Sequence, residues 1–443
     1  MKVDAERRGK HSHAERGNEG ITLTPALSLG GRGGGEHFMN DPPLLMRTVQ
    51  ATPRVISGLI VLCLCTGALG DSRILAIRAQ PAADDAPLVR ADVPKARCAV
   101  VSDAAQLLIV GAQDGHDGLL LVFALDAQGQ LTAADPLVVK LPAPASLAEF
   151  FTYPLSLVTH PTRPVLYVWQ EVVGQRRREQ PDDEVVYRDF DHLQVYEMDG
   201  GALRHVGSHA RGDTYDWGNA AGSMALDAAN HRLYLPNVQH VDSKGRQTSA
   251  LAYAHLDPQD LPLLDHQGVL ERTVQRAPAF IPERFPRPRG VAPVSRDVAM
   301  FGISHGVVSW VMAEKRAVLS AMQSDKIFGT VEMAAHPTLG VLYLAQQHGS
   351  RLNRIEHAEG YVTMMPSHAD LSGGAIFSPP VVMGAAAKVA VGGPSRVYFV
   401  DIDEQGRFTG QAQEAPVRAA RVQCLAYSPR FGLVYVPQDP DGG

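Results

Sequence analysis

The stretch His160-Pro-Thr-Arg-Pro-Val-Leu-Tyr-Val168 decides the fold, because the chain repeats it in varied form. Its counterparts are Ser102-Asp103 leading to Leu108-Ile109-Val110, Asp227 leading to Leu233-Tyr234-Leu235, His336-Pro337 leading to Leu342-Tyr343-Leu344, and Ser428-Pro429 leading to Val434-Tyr435-Val436. In every copy the first residue stands seven positions before the tyrosine, or before Ile109, without a gap. A polar or proline-bearing turn followed by a run of Leu, Val and Tyr reads as the corner between two strands. Proline presets the turn, while aromatic and β-branched residues suit a pleated, half-buried surface. A strand, a tight turn and a second strand recurring through a long chain mark a radial β-repeat.

Outward from His160, the unit reads as four strands, at residues 154–159, 165–169, 193–197 and 203–206. Similar quartets begin near Cys98, Gly222, Gly290, Val331 and Ile376. The last unit supplies only an inner strand, 422–427, and a second, 433–437, before Gly443. Two strand-like segments, 73–78 and 87–91, precede the first complete unit. The expected architecture is all-β: a seven-bladed β-propeller with four antiparallel strands per blade, the last blade closed by the N-terminal strands. Such closure removes exposed strand edges. A carboxyl-terminal truncation is the competing account of the short last unit.

The 443 residues have a globular composition, 45% hydrophobic and 20% charged. A net charge of −6 gives no basic footprint for nucleic acid or an anionic membrane. The 41 glycines and 31 prolines suit short strands joined by turns. Residues 1–45 are expected to be a non-native or disordered leader, without an apolar period. From Met46, the basic Arg47 and Arg54 precede the apolar run 55–69 and a small-residue site at Ala68-Leu69-Gly70. That order reads as a signal peptide over 46–70, leaving 71–443 as a single domain that is secreted or periplasmic. A membrane anchor is the other reading, but a run of about 15 residues is short for a span. Leu62 and Leu64, before Cys63 and Cys65, argue against a lipoprotein. Cleavage leaves Cys98 and Cys424, each four residues before its turn residue, Ser102 or Ser428. A Cys98–Cys424 disulfide across the closure and two free buried thiols are both open readings.

The phrase His-Pro-Thr-x-x-Val-Leu-Tyr-Val, in its Tyr-Val and Tyr-Leu variants, resembles the repeat of lactonase-type seven-bladed propellers. That family includes phosphogluconolactonases, muconate-lactonizing enzymes and the YVTN surface proteins. The resemblance runs from about Arg73 to Gly443 and lies in scaffold positions: Pro161 and Pro337 in turns, Tyr167, Tyr234 and Tyr343 between blades. It implies the fold, and a substrate handled by a Glu, a His and a few Arg at the channel mouth. No catalytic residue is carried over from it, because propellers host many functions.

In a propeller, turns from first to second strand lie on one face. Loops from second to third strand and from blade to blade lie on the other, where they converge on the channel. This places His160, His336, Asp227, Ser102 and Ser428 in first-face turns, as local caps. The second face gathers His116 with Asp114 and Asp117, then Glu171, His240, His305, His348 and Asp439. Blade-to-blade links add Asp213, Asp216, Arg287, Arg289, Asp325, Lys326, His368 and Arg421. Imidazoles beside carboxylates serve as general bases or hydrogen-bond donors, and guanidiniums grip carboxylates or phosphates bidentately. The catalytic candidates are therefore Glu171, His240, His305 and His348, one of which would activate water. His116, Arg287, Arg289 and Asp216 are the substrate-binding candidates. Loop residues that are polar only because they meet water are the plain alternative. The loop 171–192, with Arg176-Arg177-Arg178 and Asp182-Asp183-Glu184, reads as a solvated flap or a lid.

No cofactor or metal is expected. The mature chain has no Cys-x-x-Cys-His, HExxH or acidic calcium loop, and no Gly-x-Ser-x-Gly elbow or phosphate-cradling glycine loop in the strand–turn–helix setting that either needs. Two functions follow. One is an exported binding propeller that presents second-face loops to a protein or glycan. The other is a lactonase-like hydrolase of a small anionic lactone or ester at the channel mouth. Catalysis requires the candidates to converge on one cavity; binding expects an open face with side chains splayed.

Overall fold

The phrase that recurs in the sequence recurs in space as the second strand of a sheet. Leu107–Asp114, Val298–Ile303, Val341–Gln346 and Leu433–Pro437 are buried almost throughout. Continuous burial is what a strand with packed sheets on both faces requires. The computed structural model describes residues 74–78 and, from 95 to 437, all but 134, 143–148, 176–186, 211–222, 242–246, 267, 277–289, 304–305, 323–330, 347–348, 360, 373 and 418. All of these belong to one compact unit, 59–443.

Six four-stranded antiparallel blades follow one another, each running from its innermost strand outward. The first has Ala96–Ser102, Leu107–Asp114, Asp117–Ala124 and Leu137–Lys140. The second has Glu149–Thr159, Val165–Gln175, Tyr187–Asp199 and Ala202–Ala210. The third has Ala225–Asp227, Arg232–Val241, Gln247–His255 and Arg272–Arg276. Val291–Ser295, Val298–Ile303, Gly306–Val311 and Arg316–Met322 make the fourth. Val331–Ala335, Val341–Gln346, Arg351–Ala358 and Tyr361–Asp370 make the fifth. The sixth has Val381–Met383, Lys388–Gly393, Arg396–Asp401 and Gln413–Pro416.

The expectation of seven four-stranded blades is corrected to six. The remaining sheet has three strands: innermost Ala426–Ser428, then Leu433–Pro437, then Ile74–Arg78 from the amino-terminal side of the first blade. Ile74 lies opposite Pro437, Ala76 opposite Tyr435 and Arg78 opposite Leu433. Closure by an N-terminal strand is therefore present. The segment 87–91, expected as a fourth strand, lies outside the described residues, as do the leader and the signal segment.

Seven apolar clusters mark the seams. One joins the closing sheet to the first blade through Tyr435, Leu433, Phe123 and Leu108. Others join the first to the second, the second to the third, and so on to the sixth with the closing sheet. The repeat tyrosines add a directional bond at these seams. Tyr435 Oη donates to the Gly129 carbonyl, Tyr167 Oη to that of Asp260 and Tyr343 Oη to that of Gly406, each in the next blade. Cys98 and Cys424 are free, buried thiols in this structure, and Cys98 Sγ lies 3.8 Å from the Pro154 carbonyl oxygen.

Close approach at a seam leaves no room for a side chain at Gly392. A Cβ there would lie 2.7 Å from Val422 Cβ and closer still to its carbonyl oxygen. Since that obstacle is backbone, Gly392→Ala is expected to cost about 1–3 kcal/mol by overpacking. Urea unfolding would show it as a lower midpoint with an unchanged slope.

Candidate functional site: the second-face channel mouth

Inner strands start at the second face, so the residues at their beginnings and in the links before them surround the channel mouth. On four consecutive sheets these are Phe377 in the link to the sixth blade, Arg421 in the link to the closing sheet, Arg97 in the first blade and Tyr153 in the second. Both arginines are exposed and both are held over aromatic rings. Arg97 Cζ lies 6.0 Å from the Tyr153 ring centroid, and Arg421 Cζ lies 5.4 Å from that of Phe377. Arg97 Nη2 also donates to Gln113 Oε1 at 3.0 Å. Such stacking contributes only about 0.5–1 kcal/mol at exposed sites, yet it orients a planar fork of donors towards an anion.

Across the ring, Ser223 Oγ donates to Glu332 Oε2 at 2.9 Å, linking the third blade to the fifth. Gly290 of the fourth blade lets them meet, because a Cβ there would lie 3.0 Å from Glu332 Cα. The mouth thus carries two guanidiniums on one arc and a half-buried carboxylate with a hydroxyl on another.

Glu171 is buried at 3% exposure in the second strand of the second blade, opposite Tyr153 and Asp191. It therefore adjoins the Arg97–Tyr153 pair. His116 is exposed at the tip of the first blade's second-face hairpin, and its carbonyl accepts the Thr152 N–H at 2.9 Å. His240 lies opposite Thr248 near the end of a second strand in the third blade. His305, His348, Arg287, Arg289 and Asp216 lie outside the described residues, as do Asp213, Asp325, Lys326, Asp439 and the charged loop 176–186. His368 is corrected: it sits on the outermost strand of the fifth blade, 3.7 Å from Asp370, and not at a link facing the channel. Among the described residues no group of three or more His, Cys, Asp or Glu is arranged to hold a metal ion.

Arg97, Tyr153, Ser223, Glu332 and Phe377 were not singled out in the sequence. A signal for two of them existed. Ser223 and Glu332 stand four residues before Asp227 and His336, the same offset that Cys98 and Cys424 have from their turn residues. A polar residue there, in a strand otherwise apolar, marks the channel end of the inner strand.

Of the first-face turn residues, His160, His336, Ser102 and Ser428 act as local caps, whereas Asp227 is corrected: it makes no side-chain cap bond and accepts from Asn230 Nδ2 at 2.8 Å instead. Ser102 Oγ accepts Ala105 N–H, Ser428 Oγ accepts Phe431 N–H, and His160 Nδ1 accepts Thr162 and Arg163 N–H. Burial holds the pKa of His160, His209, His255, His336 and His357 below the ordinary 6.5. Below 6.5 the unfolded chain binds protons that these folded imidazoles refuse, so the stability they support is full above 6.5 and lost as pH falls through their folded values. Thermal midpoints are expected to hold between pH 7.5 and about 6.5 and to drop from there to pH 5.5. A flat profile would contradict this.

Fold and mouth together define a β-propeller with a charged second face. No family model and no curated protein matches the chain. Among solved structures it is similar to the periplasmic gluconolactonase of Pseudomonas aeruginosa, at 16% identity over 76% of this chain and 93% of that one, with a TM-score of 0.49. It is also similar to a putative 6-phosphogluconolactonase from Bacteroides uniformis, at 12% identity over 76% and 90%, TM-score 0.48. A protein from Lactobacillus plantarum gives 13% identity over 77% and 89%, TM-score 0.47. Likenesses this remote do not bear on activity, and the propeller stands on the strand pairing itself.

Proposed function

We propose that the second-face mouth binds a small organic anion. The observation that carries this reading is the pair of exposed guanidiniums, Arg97 and Arg421, each held over an aromatic ring on adjacent sheets. Charge-assisted hydrogen bonds from such forks suit a carboxylate or phosphate ester better than an uncharged glycan. With the apolar segment 55–69 as an export signal, the reading is of an exported protein.

Lactonase-like hydrolysis is the second reading, favoured by the carboxylates at the same mouth. Glu332, fixed by Ser223, and the buried Glu171 are groups able to take a proton from an attacking water. The guanidiniums would hold the anionic end of a lactone or ester. A protein ligand would instead need a broad contact over the second-face loops.

Titration calorimetry with six-carbon aldonates and their phosphate esters tests the first reading. Arg97→Ala and Arg421→Ala are each expected to weaken binding about tenfold or more, the equivalent of a charge-assisted bond of about 1.5–3 kcal/mol. Unchanged affinity in both variants would overturn it. Acid release from δ-lactones by wild type, lost in Glu332→Gln or Glu171→Gln while binding persists, tests the second.

A further inference from the structure

The seam between the second and third blades holds a group that the fold does not require. Besides Leu264-Asp-His-Gln-Gly268 further along the third blade, three turns that directly follow a third strand are built alike: Leu125-Asp-Ala-Gln-Gly129, Leu256-Asp-Pro-Gln-Asp260 and Ile402-Asp-Glu-Gln-Gly406. In each, the Asp side chain accepts backbone N–H groups two and four residues on. The fifth residue has positive φ, at 78°, 62° and 72° respectively. Glycine adopts this conformation freely, whereas another residue meets a cost of about 1–2 kcal/mol. In the first and sixth blades a Cβ would lie 2.6 Å from Phe431 and 2.8 Å from the Tyr343 hydroxyl. In the third blade a carboxylate fills the corresponding space. Lys315 and Glu359, also at positive φ in turns of this kind, are exposed, but Asp260 is 1% exposed.

That carboxylate is shared between blades. His231 Nδ1 donates to Oδ1 at 2.7 Å, while Arg163 Nη1 at 2.9 Å and His160 Nε2 at 3.1 Å reach Oδ2. His160 and Arg163 belong to the second blade's first-face turn and His231 to the third's. His160 is committed at both nitrogens. Its Nδ1 accepts the Thr162 and Arg163 N–H groups at 3.2 and 3.1 Å, which puts its proton on Nε2. A second proton would have to enter at Nδ1, against two amide donors, and would undo the turn that carries Arg163.

The other titratable and charged groups here behave differently. His231 meets Asp260 through Nδ1, on a half-exposed ring. Tyr167 donates to the Asp260 carbonyl and Asp257 accepts two backbone N–H groups. Asp227 is engaged by Asn230 at 2.8 Å.

We propose that this seam is a proton-released latch, closed while His160 is neutral, and opened between the second and third blades when His160 takes a proton at Nδ1. Burial lowers the His160 pKa despite the opposing pull of Asp260. The closed form refuses one proton that the open form binds. The opening equilibrium should therefore rise by up to about tenfold per pH unit below about 6.5.

Hydrogen exchange of the full chain between pH 7 and pH 5, expressed as protection relative to intrinsic rates, tests the latch. Peptides covering 160–167 and 257–262 should lose protection on acidification, while 402–408 in the sixth blade, with glycine in the same slot, holds steady. Asp260→Gly keeps the turn and the Tyr167 bond, and His160→Gln cannot titrate; both should abolish the acid dependence at the seam. Should Asp260→Gly fail to fold, His160→Gln decides alone. The latch is overturned if the seam peptides follow the sixth-blade control in wild type, or if His160→Gln keeps the acid response.

Discussion

Deleting Ile74–Arg78 is expected to lower stability by about 3–5 kcal/mol and to make the protein self-associate. Five residues of this strand pair with Leu433–Pro437, and each backbone hydrogen bond is worth about 0.5–1.5 kcal/mol net. Without the strand, Leu433–Pro437 would offer an unpaired edge, the feature that recruits strands from other chains. The seam itself would persist, held by Tyr435 Oη on the Gly129 carbonyl, by Ser428 Oγ on Asp103, and by Arg430 Nη1 on the Asp103 carbonyl at 3.2 Å. The variant should therefore fold, unfold at lower urea, and sediment with a concentration-dependent mass. An unchanged urea midpoint in a strictly monomeric variant would show that the strand contributes nothing to closure.

The scaffold was readable in sequence because its signal is local and repeated. The His160 and His336 phrases each contain a whole turn and a whole strand, so spacing alone locates them. The sorting of faces followed from strand order, and it placed His160, His336, Ser102 and Ser428 as turn caps, though not Asp227. The blade count did not follow, since the third and fourth positions of the closing sheet depend on segments remote in sequence and without a shared phrase. The Asp-x-Gln-Gly turns escaped notice for a different reason. Their fifth residue changes to Asp260 in the third blade, and its partners His160 and Arg163 lie about a hundred residues away. At the mouth, Arg97 and Arg421 become a pair only when the closing sheet sits beside the first blade. Ring closure is thus what brings separate polar residues into one candidate site. Glu171 was read as the start of a loop over 171–192 after a strand ending at 169, whereas that strand runs on to Gln175 and buries Glu171 opposite Tyr153.

Asp260 gives the second large effect, and substitutions there separate charge from backbone strain. Asp260→Ala is expected to cost about 3–5 kcal/mol, because it leaves His160 buried without its acceptor and Arg163 without its anion. Arg163 is 42% exposed and can recover water, which favours the lower end of that range. Asp260→Gly removes the same carboxylate but also releases a left-handed backbone, so it should be milder than Asp260→Ala by about 1 kcal/mol. Asp260→Asn keeps the volume while turning one oxygen into a donor that faces His160, Arg163 or His231. It should therefore resemble the alanine variant despite its shape. Urea midpoints of the three variants decide the order. If glycine proves worse than alanine, the strain argument fails; if alanine matches wild type, the shared carboxylate is not what holds these two blades together.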